Sequence, residues 1–262
     1  MKKEVEWWME EGGLFGTYYM EGDNANVDHG RNITLEQRTA MEVDGIMYLL
    51  QLKPGMKILD LPCGYGRHSN ALSAQGISVV GGDINSVHLN YAVAQAKKAK
   101  LKTDFRKMNM LDVGFKNEFD ALINMYYSFG FFKTDAENNR VLKNFYNALK
   151  PDGKFLMHTD VNVARIINDK DKNEDMRTLV SGNRLWMAEK YNPQTKRMDG
   201  IWRIIKPDGQ TEEVPYSVRV YTKDEFTKMC KETGFKKVEV YSDWKGAAYR
   251  PDSLDMMVIA EK

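Results

Sequence analysis

Between residues 57 and 160, short apolar runs alternate with longer segments of helical period. The runs are KILDL (57–61), SVVGGD (78–83), FRKM (105–108), FDALINM (119–125) and GKFLMHTD (153–160). Their length and sparse polar content suit strands covered on both faces. Between them, RHSNALSAQG, SVHLNYAVAQAKKAK and AENNRVLKNFYNALK place Ala, Leu, Val and Tyr at helical spacing and carry lysines near their ends, where the helix dipole is negative. The pattern reads as βαβαβαβαβ, an α/β protein with a parallel sheet and helices on both faces. Pro151-Asp152-Gly153 predicts a turn that breaks the chain before the fifth strand.

Beyond residue 160 the period changes. RLWMAEKY, RMDGIWRIIKP and EEVPYSVRVYT, separated by NPQTK and DGQ, predict an antiparallel meander inserted at about 184–221. A helix follows over TKDEFTKMCKETG, with Thr222 as N-cap and Gly234 as its stop. FKKVEVYSDW and LDMMVIAEK then return the chain to the sheet. At the other end, TLEQRTAMEVDGIMYLLQL predicts a helix, preceded by a polar, aromatic and glycine-rich lead that has no assigned element and is placed to cover a pocket. The expected organisation is an N-terminal helical cap over 1–50 and a Rossmann-like domain over 51–262.

Composition changes this picture little. The 262 residues are 42% hydrophobic and 29% charged, which suits one large folded domain. Lys plus Arg (38) balances Asp plus Glu (37), so no nucleic acid or membrane surface is expected as a partner. The charged start, MKKEVEWW, and the absence of any run of about 18 apolar residues predict a cytoplasmic protein. Cys63 and Cys230 lie far apart with no partner at ligand spacing, so neither a metal site nor a disulfide is expected. The sixteen methionines read as adaptable core filling.

The strongest chemical signal is LDLPCGYGRHS, a strand that ends at Leu61, turns through Cys63-Gly64-Tyr65-Gly66 and opens a helix. Gly64 and Gly66 allow a ligand to approach the backbone closely. Asp83, nineteen residues beyond Gly64, ends the second strand, where a carboxylate accepts both hydroxyls of a ribose. Dinucleotide sites share these features, so two further details matter. Ser69 replaces the third glycine, and Asp60 stands just before the loop, where it repels a pyrophosphate but suits an ammonium group.

These residues resemble the first two motifs of class I S-adenosylmethionine-dependent methyltransferases. The closer likeness is to a small-molecule group with R-T-x-x-E-V-D, L-D-L-P-C-G-x-G-R-H and S-F-G-[YF]-F, matched here by Arg38-Thr39 with Glu42-Val43-Asp44, by Arg67-His68 and by Ser128-Phe129-Gly130-Phe131-Phe132. The resemblance implies a Rossmann-like class I fold with an antiparallel insertion before the last helix and strands. It also implies S-adenosylmethionine as cofactor, S-adenosylhomocysteine as product and a small acceptor, with nitrogen favoured over oxygen. The implied cofactor residues are Asp60, Leu61, Cys63, Gly64, Gly66, Arg67, Asp83 and Ile84, with Asn109 and Met110 beside the adenine. Asn124 and Met125, followed by Tyr126 and Tyr127, face the methionine and acceptor, and Arg38 or Arg67 meets the cofactor carboxylate. That fourth motif lacks the Asn-Pro-Pro-Tyr form of amino-methylating DNA enzymes.

Tyr18, Tyr19, Tyr126, Tyr127 and Phe129 are candidates for an aromatic wall around the sulfonium, with ordinary packing as the alternative for each. Tyr19, Tyr127 and His158 are the catalytic candidates, as acceptor orienters or proton acceptors. Cys63 reads as a small residue in a tight turn, and His88 as a surface residue of a helix. The meander is the candidate for acceptor specificity or, through Trp186 and Trp202, for a homo-oligomer interface. Two other functions compete: an NAD(P)-linked oxidoreductase in the same crevice, and a cofactor-binding protein without turnover.

Overall fold

The computed structural model describes residues 5–10, 13, 15–24, 33–126, 128–161, 163, 166 and 174–262. Two helices precede the sheet, α1 (Thr17–Asn24) and α2 (Leu35–Leu50). Thr34 and Gln37 form a capping box at the start of α2, and Gln51 ends it in the left-handed region. The chain then alternates through β1 (Lys57–Asp60), α3 (Arg67–Ala74), β2 (Ser78–Asp83), α4 (Ser86–Lys98), β3 (Asp104–Lys107), β4 (Phe119–Asn124), α5 (Asp135–Ala148) and β5 (Leu149–Thr159). After an insertion come α6 (Lys223–Thr233), β10 (Lys237–Tyr241) and β11 (Met256–Glu261).

Seven strands form one sheet in the order β10-β11-β5-β4-β1-β2-β3. β1 lies parallel to both β2 and β4, and β11 runs antiparallel between β5 and β10. The order of strands reverses at β1, so the loops after β1 and β2 open one crevice and the loop after β4 faces it. Side chains alternate across the pleat. Leu59, Leu122, Phe155 and Val258 pack with Leu142 and Phe145 of α5 and Phe226 of α6. Ile58, Ile123, Leu156 and Ile259 pack on the other face with Ile46 of α2 and Leu72 of α3. The sheet is thus covered on both sides, as near-continuous apolar strands require.

Two expectations need correction. Residues 108–118, between β3 and β4, contain no helix, so the alternation is βαβαββαβ. The Pro151-Asp152-Gly153 turn does not break the chain. It is absorbed within β5 as a bulge, where pairing jumps from Phe119↔Leu149 to Ala121↔Lys154 and Asp152 takes a φ of 62°.

The insertion is a four-stranded antiparallel sheet of β6 (Glu174–Thr178), β7 (Arg184–Asn192), β8 (Arg197–Ile205) and β9 (Thr211–Arg219). Sequence pattern missed β6, because EDMRT carries one apolar residue and reads as a polar loop. Gly130 fastens this sheet to the sheet of the domain. Its carbonyl accepts from the Arg219 amide at 2.9 Å. Its φ is 111°, and a Cβ there would lie 2.1 Å from the Arg219 carbonyl oxygen. We predict that Gly130→Ala destabilises the protein by about 2–4 kcal/mol, from backbone strain plus overpacking. Urea denaturation checks this, and a change below about 0.5 kcal/mol contradicts it.

Candidate active site

The loop after β1 turns sharply enough for Gly64 and Gly66 to take φ values of 53° and 82°. A Cβ on Gly64 would meet no atom within 4 Å, so its backbone borders open space. Asp83 closes the other side of this loop. Its Oδ2 accepts from the Gly64 amide and its Oδ1 from the Asn85 amide, both at 2.8 Å. Burial lifts the Asp83 pKa, while those backbone donors and the nearby His88 hold it down. Each oxygen keeps a lone pair for a further donor.

These residues border a cleft with about 850 Å³ of empty space, open solvent at its mouth included. Ile84, Asn109 and Met110 form one end, and Met125, Tyr126 and Ser128 the other. The N-terminal segment roofs it with Trp8, Phe15, Tyr19 and Asp23, against Phe131 and Phe132 of the S-F-G-F-F run. Phe131 meets Phe15 in a stack at 5.6 Å, and Tyr19 stacks on Trp202 of β8 at 5.7 Å and 15°. The insertion therefore reaches the roof, and Trp202 faces inward.

Beneath the cleft, Glu42 of α2 gathers an ionic network. It accepts from Arg67 at 2.5 Å, lies 2.8 Å from His68 Nε2, and accepts from the Tyr126 hydroxyl. Burial by itself would raise the Glu42 pKa, but the His68 hydrogen bond and the Arg67 charge outweigh it and bring it down to about 2. Burial, reinforced by the Arg67 charge, takes His68 down to about 4, so its ring is neutral. Arg38 and Arg67 sit over the Tyr126 ring at 5.2 and 5.4 Å. Tyr126 holds a left-handed φ of 54° at the end of β4, a strained conformation that this network pins. Asp23 joins the roof to the network by accepting from Arg38 at 2.6 Å and from the Tyr65 hydroxyl.

Of the cofactor residues expected from sequence, Cys63, Gly64, Arg67, Asp83, Ile84, Asn109, Met110 and Met125 border the cleft. Asp60, Leu61, Gly66, Asn124 and Arg38 stand behind it. Leu61 belongs to the core. Asn124 donates to the Leu61 carbonyl at 2.8 Å, with its Oδ1 lacking a partner among the described residues. Arg38 is turned to Asp23 and Glu42. Gly66 packs close to Ala92 and Phe105, where a Cβ would lie 2.6 Å from the Ala92 Cβ.

Asp60 accepts from the Ser69 hydroxyl at 2.5 Å, so the serine that replaces the third glycine serves as its partner. Burial pushes the Asp60 carboxyl up to about 7, against the Ser69 hydrogen bond. A carboxyl raised on folding contributes most below its unfolded pKa and loses that contribution as pH climbs to the folded value. Stability should thus fall between about pH 4 and pH 7 through this group, and Asp60→Asn should remove that component. Urea midpoints of both proteins at pH 5 and pH 8 test this. An unchanged difference between the two proteins at the two pH values contradicts it.

Among the catalytic candidates, Tyr19 borders the cleft, and burial together with the Asp23 charge raises its phenol pKa. It remains a donor that orients, and a poor base. Tyr127 lies outside the described residues. His158 is buried behind Tyr126, edge-on at 4.9 Å, with its Nε2 3.2 Å from Asp255, and does not border the cleft. Of the remaining wall candidates, Tyr18 packs with Leu185 of the insertion and Phe129 with Phe226 of α6. Cys63 is buried and its thiol pKa is raised by that burial, which disfavours a nucleophilic role. His88 is 2% exposed and borders the cleft, contrary to the surface position read from its helix. Asp23, Trp8 and Phe15 were missed, since only folding brings the lead over the cleft. The nearest sequence signal is the aromatic density of that lead.

Residues 58–153 match the methyltransferase domain family. A glycine/sarcosine N-methyltransferase of Halorhodospira halochloris is 27% identical over 241 residues, covering 88% of this chain and 84% of that protein. An S-adenosylmethionine-dependent methyltransferase from Clostridium acetobutylicum superposes with a TM-score of 0.74 at 12% identity, over 94% of this chain and 99% of that one. An S-adenosylmethionine-bound amino pentose methyltransferase from Micromonospora echinaspora gives 0.65 at 16% identity, over 95% and 98%. Together these likenesses support a class I S-adenosylmethionine-dependent methyltransferase. Its cofactor is S-adenosylmethionine, and the cleft suits that molecule: the Asp83 carboxylate has spare lone pairs, the backbone at Gly64 is bare, and His88 Nε2 at the wall and Asn124 Oδ1 behind it lack hydrogen-bond partners among the described residues. Among the described residues no helix is long and apolar enough to cross a membrane, and no acidic, His or Cys cluster suits a metal ion.

Proposed function

We propose that the protein methylates a small molecule, with an amine nitrogen as the favoured acceptor. The observation that carries this is the roof. The Tyr19–Trp202 stack joins the N-terminal segment to the insertion, and the cleft beside it is lined by Trp8, Phe15, Tyr19, Phe131 and Phe132, an aromatic surface that suits a small acceptor better than a polymer. The balanced charge of 38 basic against 37 acidic residues fits the same reading. Nitrogen is favoured because relatives named for N-methylation match along most of the chain.

In this reading Asp83 binds the ribose, Ile84 and Met110 flank the adenine, and Arg67 or Met125 lies toward the methionine end. The cofactor supplies a methyl group on a sulfonium, which leaves by in-line displacement. The protein's task is to align the acceptor and exclude water. Aromatic faces of the roof favour cationic charge in that space, and Tyr19 orients the acceptor by donating a hydrogen bond. An amine arrives neutral or loses its proton to solvent, so no dedicated base is required.

Transfer of radiolabelled methyl from S-adenosylmethionine to a panel of glycine, sarcosine, amino sugars, phenols, carboxylic acids, RNA, DNA and protein tests the proposal. Turnover confined to amines supports it. Turnover on phenols alone removes the nitrogen preference, and turnover only on RNA, DNA or protein contradicts the small-acceptor reading.

A further inference from the structure

Five residues beyond Asp83, His88 sits in the first turn of α4. The Asn85 side chain accepts from the amides of Val87 and His88, which fixes the backbone from which the imidazole projects. The ring lies in the cleft wall with the rings of Tyr19 and Tyr65 at 6.0 and 6.2 Å. It is 2% exposed, and its Nε2 has no hydrogen-bond partner among the described residues. A buried ring nitrogen left unpaired is costly, and native proteins rarely keep one without a ligand or water to satisfy it. Burial lowers the His88 pKa against the pull of Asp83 and the Gly16 backbone, so the ring is neutral. A hydroxyl both donates and accepts, and therefore pairs with Nε2 in either tautomer.

Asp83 is the charged neighbour of this ring, and each of its oxygens already accepts one backbone amide. Asp83 and His88 thus line the same stretch of the cleft, one with spare lone pairs and the other with an unpaired ring nitrogen. We infer that His88 is a second binding residue for the cofactor's ribose, its Nε2 pairing with one hydroxyl while Asp83 accepts the other. This rests on the reading that the Asp83 end of the cleft takes the ribose.

The test is calorimetric titration of the full chain, and of its His88→Ala and His88→Gln variants, with S-adenosylhomocysteine and its 2′-deoxy and 3′-deoxy counterparts. Wild type should bind one deoxy compound about three- to tenfold more weakly than the parent, the size of one neutral hydrogen bond. His88→Ala should weaken the parent by a similar factor and no longer discriminate against that compound, and His88→Gln should restore part of both effects. If His88→Ala binds the parent as wild type does, or weakens all three ligands equally, the inference is overturned while the cofactor site stands. Failure of wild type to bind S-adenosylhomocysteine overturns both.

Discussion

Asp83→Ala should reduce affinity for S-adenosylmethionine and S-adenosylhomocysteine by at least about tenfold. Hydrogen bonds to a charged group contribute roughly 1.5–3 kcal/mol each, and each 1.4 kcal/mol is about a factor of ten. Loss of one to two such bonds to the ribose therefore spans that range. A second effect adds to it. The Asp83 carboxylate also holds the Gly64 amide at 2.8 Å, so the alanine variant frees the loop whose backbone faces the ligand. Asp83→Asn, which keeps one acceptor oxygen, should lose less. Calorimetry on folded variants measures this, and an alanine variant within about threefold of wild type would remove Asp83 from the site.

Glu42→Ala should cause the largest loss of stability, roughly 3–5 kcal/mol, the range for a buried ion pair broken on one side. The residue is 1% exposed, and its removal leaves Arg67 without its 2.5 Å carboxylate partner and Tyr126 without its acceptor. The two sites differ in kind: Asp83→Ala acts on binding, whereas Glu42→Ala acts first on folding and then on the Tyr126 end of the cleft. The pH dependence follows from the depressed pKa of about 2. A depressed carboxyl stabilises fully above its unfolded value, near 4.5, and loses that contribution as pH falls toward 2. Wild type should therefore weaken steeply across that acid window and Glu42→Gln much less. Parallel acid profiles for the two proteins would show that the network does not hold this carboxylate ionised.

Sequence pattern reached the sheet because strands buried on both faces carry their own signature, and the Thr222 N-cap with Gly234 as the stop marked α6 without tertiary information. It reached Asp83 and Gly64 because a strand, a glycine turn and an acid at fixed spacing are local facts. It did not reach β6, whose EDMRT residues lie at a sheet edge with little to bury. Nor did it reach the roof, since Asp23 meets Arg38 and Tyr65 only across 15 and 42 residues of chain. His88 was misread for a related reason: period shows that a helix has a polar position, but not that a cleft lies in front of it. Asp60 stands at the expected place on its strand, but its pairing with the Ser69 hydroxyl of α3 depends on folding and was not legible in the sequence.

We propose that this cleft holds the cofactor with its ribose at Asp83. A crystal structure of the protein with S-adenosylhomocysteine tests it most directly. The expected complex has ribose hydroxyls within hydrogen-bond distance of Asp83, the adenine between Ile84 and Met110, and the homocysteine directed toward Met125 and Tyr126. A ligand bound outside the cleft, or with its ribose away from Asp83, would contradict it.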